Sequence, residues 1–357
     1  MLTGLFAALV VLGILIVVHE FGHFIVAKLC GVGVLRFSIG FGPRLFSRTV
    51  GGTEYTVSAI PFGGYVKMVG EEVDAPEPVD PRISFSHQPL WRRAAIVLAG
   101  PAFNLIFAFL AFALVAAVYG QRMPVDRPEI GGAVAGMPAE RAGLRAGDVV
   151  VAVDGRPVAN WEELSNAIRN SGGKTVTLTV QRDGAPVQIA VTPEAKPEKN
   201  IFGEVVGEAY VIGIERGFTQ VSVGPAQAVA AGAEQTVWWI KTLLLSIVKM
   251  LQGKISANDI GGPILIVQAA GQQAQVGLES LLLFTAVISI NLGVLNLLPI
   301  PILDGGHLVF ILIEAVMRRP LNTRHREIAQ QVGLVILIGL MTFAFYNDIL
   351  RIVRGWG

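Results

Sequence analysis

One cysteine in 357 residues, Cys30, leaves little for thiol chemistry to do. It has no internal partner for a disulfide and no neighbouring thiols for a zinc knuckle or a redox pair, so it reads as a small apolar filler. Charge is also scarce. Asp, Glu, Lys and Arg make up 15% of the chain and the formal net charge is +1, which gives no field for a polyanion. Basic and aromatic residues do not interleave as they do on nucleic-acid surfaces, and nucleic acid is not an expected partner. No Lys or Arg precedes or interrupts the apolar run from Met1 to Val18, so the basic flank of a cleavable signal peptide is missing. The segment is expected to be retained. Its N-terminus is expected outside the cytoplasm, because Lys28, Arg36, Arg44 and Arg48 all follow the run.

Apolar residues supply what is abundant, 52% of the chain, and they are gathered into long stretches. Leu2 to Leu29, Ala94 to Tyr119 and Leu278 to Leu303 are each long enough to cross a hydrocarbon core of about 30 Å. Val332 to Ile352 makes a fourth span, its Asn347 and Asp348 falling at one end. Val237 to Leu251 is apolar too, but Lys241 and Lys249 interrupt it and Trp238 and Trp239 are paired, which suits a helix lying in the headgroup region. With that helix on the surface, the Leu278 span runs in the same direction as the first. The fold class expected is thus an α-helical polytopic membrane protein of about four spans.

His19-Glu20-Phe21-Gly22-His23 closes the first apolar run and reads H-E-x-x-H. On a helix, residues four apart share a face, so both imidazoles can bind one Zn²⁺ while Glu20 stands beside a bound water as general base. Soluble zinc proteases of this type carry a third ligand shortly downstream, but Lys28-Leu-Cys-Gly-Val-Gly33 offers none. Asp304, at the end of Asn296-Leu-Leu-Pro-Ile-Pro-Ile-Leu-Asp304-Gly-Gly-His307, is the outstanding candidate. Each ionisable group placed within a span costs roughly 3 kcal/mol on insertion scales, and a bound metal removes that anomaly. Asn296 is a candidate hydrogen-bond donor to the oxyanion of the reaction. Asn104 could steady the zinc site, bind substrate or only pack. His307 follows the glycine pair as a neighbour of the site, whereas His87 and His325 lie in polar segments.

Between the first two spans, Glu54 to Met68 alternates around a Pro61-Phe-Gly-Gly break and is expected to form a hairpin, with Glu71 to Pro89 as a linker. From Val125 to Pro197 hydropathy falls. Ala142-Gly-Leu-Arg-Ala-Gly-Asp148, a strand to Val153, an Asp154-Gly155 turn, a helix from Trp161 to Asn170 and strands Thr175 to Gln181 and Val187 to Thr192 follow in order, the last two joined at Asp183-Gly184. That order resembles a PDZ domain, an inserted α+β module; Gly131-Gly132-Ala133-Val134 is the nearest candidate for its peptide-end loop, and Tyr210 to Ile214 adds a strand. The domain boundaries expected are 1–119, 125–197, 198–277 and 278–357.

H-E-F-G-H, Phe41-Gly-Pro, Pro61-Phe-Gly-Gly-Tyr65, Gly100-Pro-Ala-Phe-Asn104 and the Asn-x-x-Pro-x-Pro-x-Leu-Asp-Gly-Gly-His run together resemble the site-2 protease family, specifically its bacterial PDZ-containing regulators of sigma-factor signalling. The resemblance implies an intramembrane zinc metalloprotease in which His19, His23 and Asp304 bind zinc and Glu20 activates water. It implies that a membrane-associated β-hairpin receives substrate around Gly63, Gly64 and Tyr65. It further implies residence in the bacterial inner membrane, an extracytoplasmic PDZ domain and an active site towards the cytoplasm. Single-pass membrane proteins, pre-trimmed anti-sigma factors or remnant signal peptides, would be the substrates, with a site-1-type protease acting first. One departure stands out: the enterobacterial type resembles two tandem PDZ domains, and this chain has room for one.

Overall fold

The computed structural model describes residues 2–71, 80–200, 204–256, 258 and 260–354, and positions 72–79 of the expected Glu71–Pro89 linker lie outside them. The chain divides into two compact units, one comprising Met1–Val115, Pro225–Val248 and Ser256–Gly357, the other Ala116–Gly224 and Lys249–Ile255. In the first unit the chain runs α1 (Leu2–Leu29), β1 (Val34–Val50), β2 (Thr53–Met68) and α2 (Leu90–Tyr119). The second unit holds β3 (Gln121–Pro124), β4 (Ile130–Ala133), α3 (Pro138–Arg141), β5 (Val149–Val153), β6 (Arg156–Pro157), α4 (Trp161–Arg169), β7 (Val176–Arg182), β8 (Ala185–Val191), β9 (Glu194–Lys199), β10 (Val205–Val211), β11 (Ile214–Arg216) and β12 (Phe218–Val221). The chain then continues through α5 (Pro225–Leu251), α6 (Pro263–Val276), α7 (Leu278–Asn296), α8 (Asp304–Met317) and α9 (Thr323–Val353).

Four of these helices, α1, α2, α7 and α9, are long and apolar enough to cross a membrane. Along α1 the buried residues are Gly4, Ala7, Ala8, Val11, Leu15, His19, Gly22 and His23, a helical stripe that carries both histidines into the bundle, while Phe6, Val10 and Ile14 stay exposed. The span expected to reach Leu303 stops at Asn296. Pro299 and Pro301 each lack a backbone N–H and push the preceding residue out of helical conformation, so the chain turns and restarts with Asp304 as the first residue of α8.

The expected surface helix is longer than Val237 to Leu251, and it does not lie free. Trp239, Ile240 and Leu243 pack on the α2–α7 core around Ala108, Phe112 and Ile290, and a Cβ on Gly232 would collide with the Phe109 carbonyl. Sequence reading gave no sign of α6. It crosses α1 through small residues, with an added Cβ on Gly271 falling 2.8 Å from the Cα of Gly4. Its N-terminus is closed by the buried Asp348 of α9, which accepts from the backbone N–H groups of Gly262 (2.9 Å), Ile264 (2.9 Å) and Leu265 (3.1 Å). Asp348→Ala is expected to orphan these donors and to cost about 3 kcal/mol, read as a lowered thermal midpoint in detergent.

The hairpin differs from expectation in its turn and its extent. The chain reverses at Gly51-Gly52, whose φ angles of +56° and +79° suit a tight primed turn, and not at Pro61-Phe-Gly-Gly. Both strands are long and bent, so Val34–Ile39 pairs with residues 54–57 on one side and with residues 64–68 on the other. The segment Gly64–Met68 is therefore an edge. No strand among the described residues pairs with its outer side.

In the second unit β6-β5-β7-β8 form an antiparallel sheet over a core of Ile130, Leu144, Val150, Leu164, Leu178 and Val180. Both Asp-Gly turns have positive φ at each residue, as the sequence implied. Asn160 caps α4 by accepting from the Glu163 N–H at 2.9 Å. Gly131–Val134, the expected peptide-end loop, instead runs beside β11: Gly132 and Ala133 pair with Glu215 and Ile214, and the Val134 N–H donates to the Gly213 carbonyl. A groove of about 300 Å³ lies elsewhere, between α4 and residues 210–214, lined by Trp161, Leu164, Ile168, Tyr210 and Ile212.

Asp148 of the Ala142–Asp148 motif is 1% exposed and accepts two hydrogen bonds from Arg182, both 2.7 Å, and one from the Arg145 N–H. The bonds from Arg182 lead the causes that hold its carboxyl below the usual range. A depressed folded-state value contributes stability that is full above the unfolded aspartate pKa near 4 and is lost as pH falls through the folded value. The protection of β5 and β7 amides against hydrogen exchange is therefore expected to decline below about pH 4. In Asp148→Asn this unit is expected to be weaker at pH 7 and to lose that acid-side dependence.

Candidate metal centre

His19 and His23 are one turn apart on the buried stripe of α1, each 9% exposed, with their Nε2 atoms 3.2 Å from one another. Asp304 of α8 completes the group, its Oδ2 3.1 Å from His19 Nε2 and its Oδ1 3.5 Å from His23 Nε2. One ligand atom from each lies within 4.8 Å of the others. Two residues of α1 and one nearly three hundred positions away thus converge at one point.

The other ring nitrogens are held by α2. His23 Nδ1 donates to the Ile96 carbonyl at 2.8 Å, which fixes the tautomer with a bare Nε2 lone pair. Asn104, wholly buried, bonds His19 Nδ1 at 3.1 Å. With the amide turned about its last bond, Asn104 Oδ1, buried and unpartnered, accepts the Nδ1 proton of His19 and leaves its Nε2 bare as well. Asn104 has no surface for a substrate to touch. Its expected role as a substrate contact gives way to that of orienting His19.

Two bare imidazole nitrogens facing a carboxylate lack the donor such acceptors require, and Asp304 Oδ2 is itself buried with no hydrogen-bond donor. A divalent cation supplies what is missing, and the N, N, O set suits zinc with a position left for water. α2 also makes the room. A Cβ on Gly100 would fall inside 3 Å of both imidazoles, so the helix backbone passes directly against the rings. Gly22 plays the reciprocal part on α1, where a Cβ would meet the Ala99 carbonyl.

Glu20 lines a cavity of about 770 Å³ together with both histidines, Asp304, Tyr65 and His307. A Cβ on Gly64 would lie 3.3 Å from the Glu20 Cγ. The edge strand therefore runs along the face of α1 that bears the general-base candidate. Gly63, with φ +117°, has no room for a Cβ against the ring of Phe41, which stacks on Tyr65 at 6.0 Å; the Tyr65 hydroxyl accepts from Arg36 at 3.0 Å. Asn296 ends α7 half-buried and does not line the cavity, so the structure gives no support to its expected oxyanion role.

The model of peptidase family M50 matches residues 7–340. The chain belongs to peptidase family M50. It is a zinc metalloprotease, in agreement with the resemblance to site-2 proteases. Among its relatives, a protein of Agrobacterium fabrum named "Putative zinc metalloprotease Atu1380" is 37% identical over 361 residues, covering 97% of this chain and 95% of that protein. The regulator of sigma-E protease RseP of Salmonella typhimurium is 32% identical over 450 residues, covering 98% of this chain and 99% of the relative. That alignment is longer than the 357 residues here, so the Salmonella protein carries inserted segments that this M50 chain lacks. Gly100 and Ile96 went unremarked as site residues in the sequence. Only the H-bond partner and the helix crossing reveal them.

Proposed function

We propose that this M50 protease hydrolyses peptide bonds within or near the spanning helix of single-pass membrane proteins. The observation that carries the reading is the convergence of His19, His23 and Asp304 inside an apolar bundle, alongside the edge Gly64–Met68, with whose outer side no described strand pairs. A substrate helix hides its amides in its own hydrogen bonds and must unwind before water can reach a carbonyl. An edge strand offers the freed backbone new partners, and Gly63-Gly64-Tyr65 stands at the start of that edge. The two imidazoles and Asp304 would hold zinc, which when bound would supply the Lewis acidity that lowers the pKa of water. Glu20 accepts the proton of the attacking water and returns it to the leaving amine. Asn104 and the Ile96 carbonyl keep both imidazoles in the tautomer that presents Nε2. Asn296 is assigned no step.

The protein belongs, on this reading, in a bacterial inner membrane, with the metal centre towards the cytoplasm and the second unit outside. The strand order of that unit fits a single PDZ domain, and the groove beside α4 is where a peptide end would add. Pre-trimmed anti-sigma factors and remnant signal peptides fit the substrate class, with an earlier cut by a site-1-type protease. The test is incubation of the purified protein in lipid nanodiscs with single-span helices, with products read by mass spectrometry, before and after zinc is stripped and restored. Cleavage inside the span that follows the metal supports the proposal. Cutting confined to soluble unfolded chains, or turnover indifferent to zinc removal, overturns it.

A further inference from the structure

A third link between α2 and the ligand group is less direct than Ile96 and Asn104. Arg93 precedes Ile96 by one turn, and its Nη1 donates to Glu314 Oε2 at 2.6 Å. Glu314 belongs to α8, the helix that begins with Asp304, and lies about 15 Å further along it. Its other oxygen is held by Arg326 of α9. Glu314 is 4% exposed and Arg93 8%, while the Arg326 side chain is about a quarter exposed, so three helices meet at one largely buried ionic cluster.

Stability alone does not account for this cluster. Well-packed apolar side chains in place of a buried ionic triad are often neutral or better, because desolvation offsets the Coulombic gain. Direction is what charged hydrogen bonds add. The near end of α8 is poorly equipped to fix its own angle: Asp304 follows the Pro299–Pro301 break and precedes Gly305 and Gly306. These glycines press on the carbonyls of Leu297, Leu298 and Ile300 and have no side chains to interlock. The near end sets where α8 starts. The far end sets where it points.

The geometry points to Arg93 and Arg326 as positioning residues that act through Glu314, holding α8 at the angle where the Asp304 carboxylate meets both imidazoles. α2 is then a common template, with Arg93, Ile96 and Asn104 placing all three ligands. This inference rests on the reading of His19, His23 and Asp304 as the zinc site.

Arg93→Met, Glu314→Gln and the apolar triple variant Arg93→Met/Glu314→Leu/Arg326→Met test it, with Asp348→Asn as a control remote in sequence from the ligands. The full-length protein is measured in one detergent for zinc affinity by chelator competition, for the visible spectrum after cobalt substitution, and for its thermal midpoint. The single variants are expected to bind zinc about tenfold more weakly or worse, with altered cobalt bands. The triple variant is expected to recover the thermal midpoint but not the affinity, since packing restores burial without direction. Asp348→Asn is expected to lower the midpoint and leave affinity and spectrum alone. Wild-type affinity and cobalt bands in the triple variant overturn the proposal, as does a loss of zinc in the single variants no greater than Asp348→Asn shows at equal midpoint. If the wild-type protein itself binds no zinc, the metal-centre reading fails first; if it does and the variants match it, positioning alone fails.

Discussion

Gly100→Ala is expected to empty the metal centre. Alanine in a helix interior normally gains up to about 1 kcal/mol over glycine, so propensity predicts a benefit. Here the added methyl falls inside 3 Å of His23 Nε2 and Cε1 and 2.8 Å from His19 Cε1. The imidazoles cannot retreat along α1, because Gly22 already brings that helix against the Ala99 carbonyl, and His23 Nδ1 is tied to the Ile96 carbonyl. Either the rings rotate off the shared point or α2 moves away, and both outcomes separate the imidazoles from Asp304. Zinc affinity is expected to fall roughly 100-fold or more, with cleavage at background. Overpacking should lower stability by about 1–3 kcal/mol, which leaves a folded protein in which to measure the loss. Metal content by mass spectrometry decides the matter: one zinc per chain and normal turnover in this variant would refute the close approach of α2 to the ligands.

Glu20→Gln is expected to do the opposite, keeping zinc while losing chemistry. The amide retains the shape of the side chain, so the close packing of Gly64 on Glu20 that sets the edge strand against α1 is kept. It cannot accept a proton from water. Removing a general base typically costs 10²–10⁴-fold, so cleavage of a single-span substrate is expected to fall by about that factor at unchanged zinc content and unchanged thermal midpoint. The two variants together separate binding from catalysis. Should Glu20→Gln turn over normally, the water-activating group lies elsewhere in the cavity.

The parts of the site that could be read from the chain are those whose chemistry is expensive in an apolar setting. H-E-x-x-H at the end of a span, and an aspartate closing another apolar run, have few explanations other than a metal, and four apolar runs of sufficient length have few other than a membrane. Residues that carry no such signal stayed hidden. Gly100 looks like any helix-breaking glycine before Pro101, and Ile96 contributes only a carbonyl that every residue possesses. Arg93 and Glu314 sit 221 positions apart with nothing in either neighbourhood to pair them. Pro61-Phe-Gly-Gly is the louder turn signal in the sequence, yet the hairpin reverses at Gly51-Gly52, which have the positive φ that a tight reversal uses.

Spacing and composition by themselves determined which four stretches are long and apolar enough to cross a membrane, that both histidines share one face of α1, and that the third ligand had to come from elsewhere in the chain. Tertiary structure alone decided where α7 stops, that α6 lies against α1, that Asn104 serves His19 and no substrate, and that Gly64–Met68 runs as an edge strand beside Glu20. The division has a physical cause. Solvent preference acts on each residue separately and leaves its mark locally, whereas a shared metal point, a close helix crossing or an unpaired strand edge exists only between segments, and its energy depends on distances that no single stretch of sequence contains.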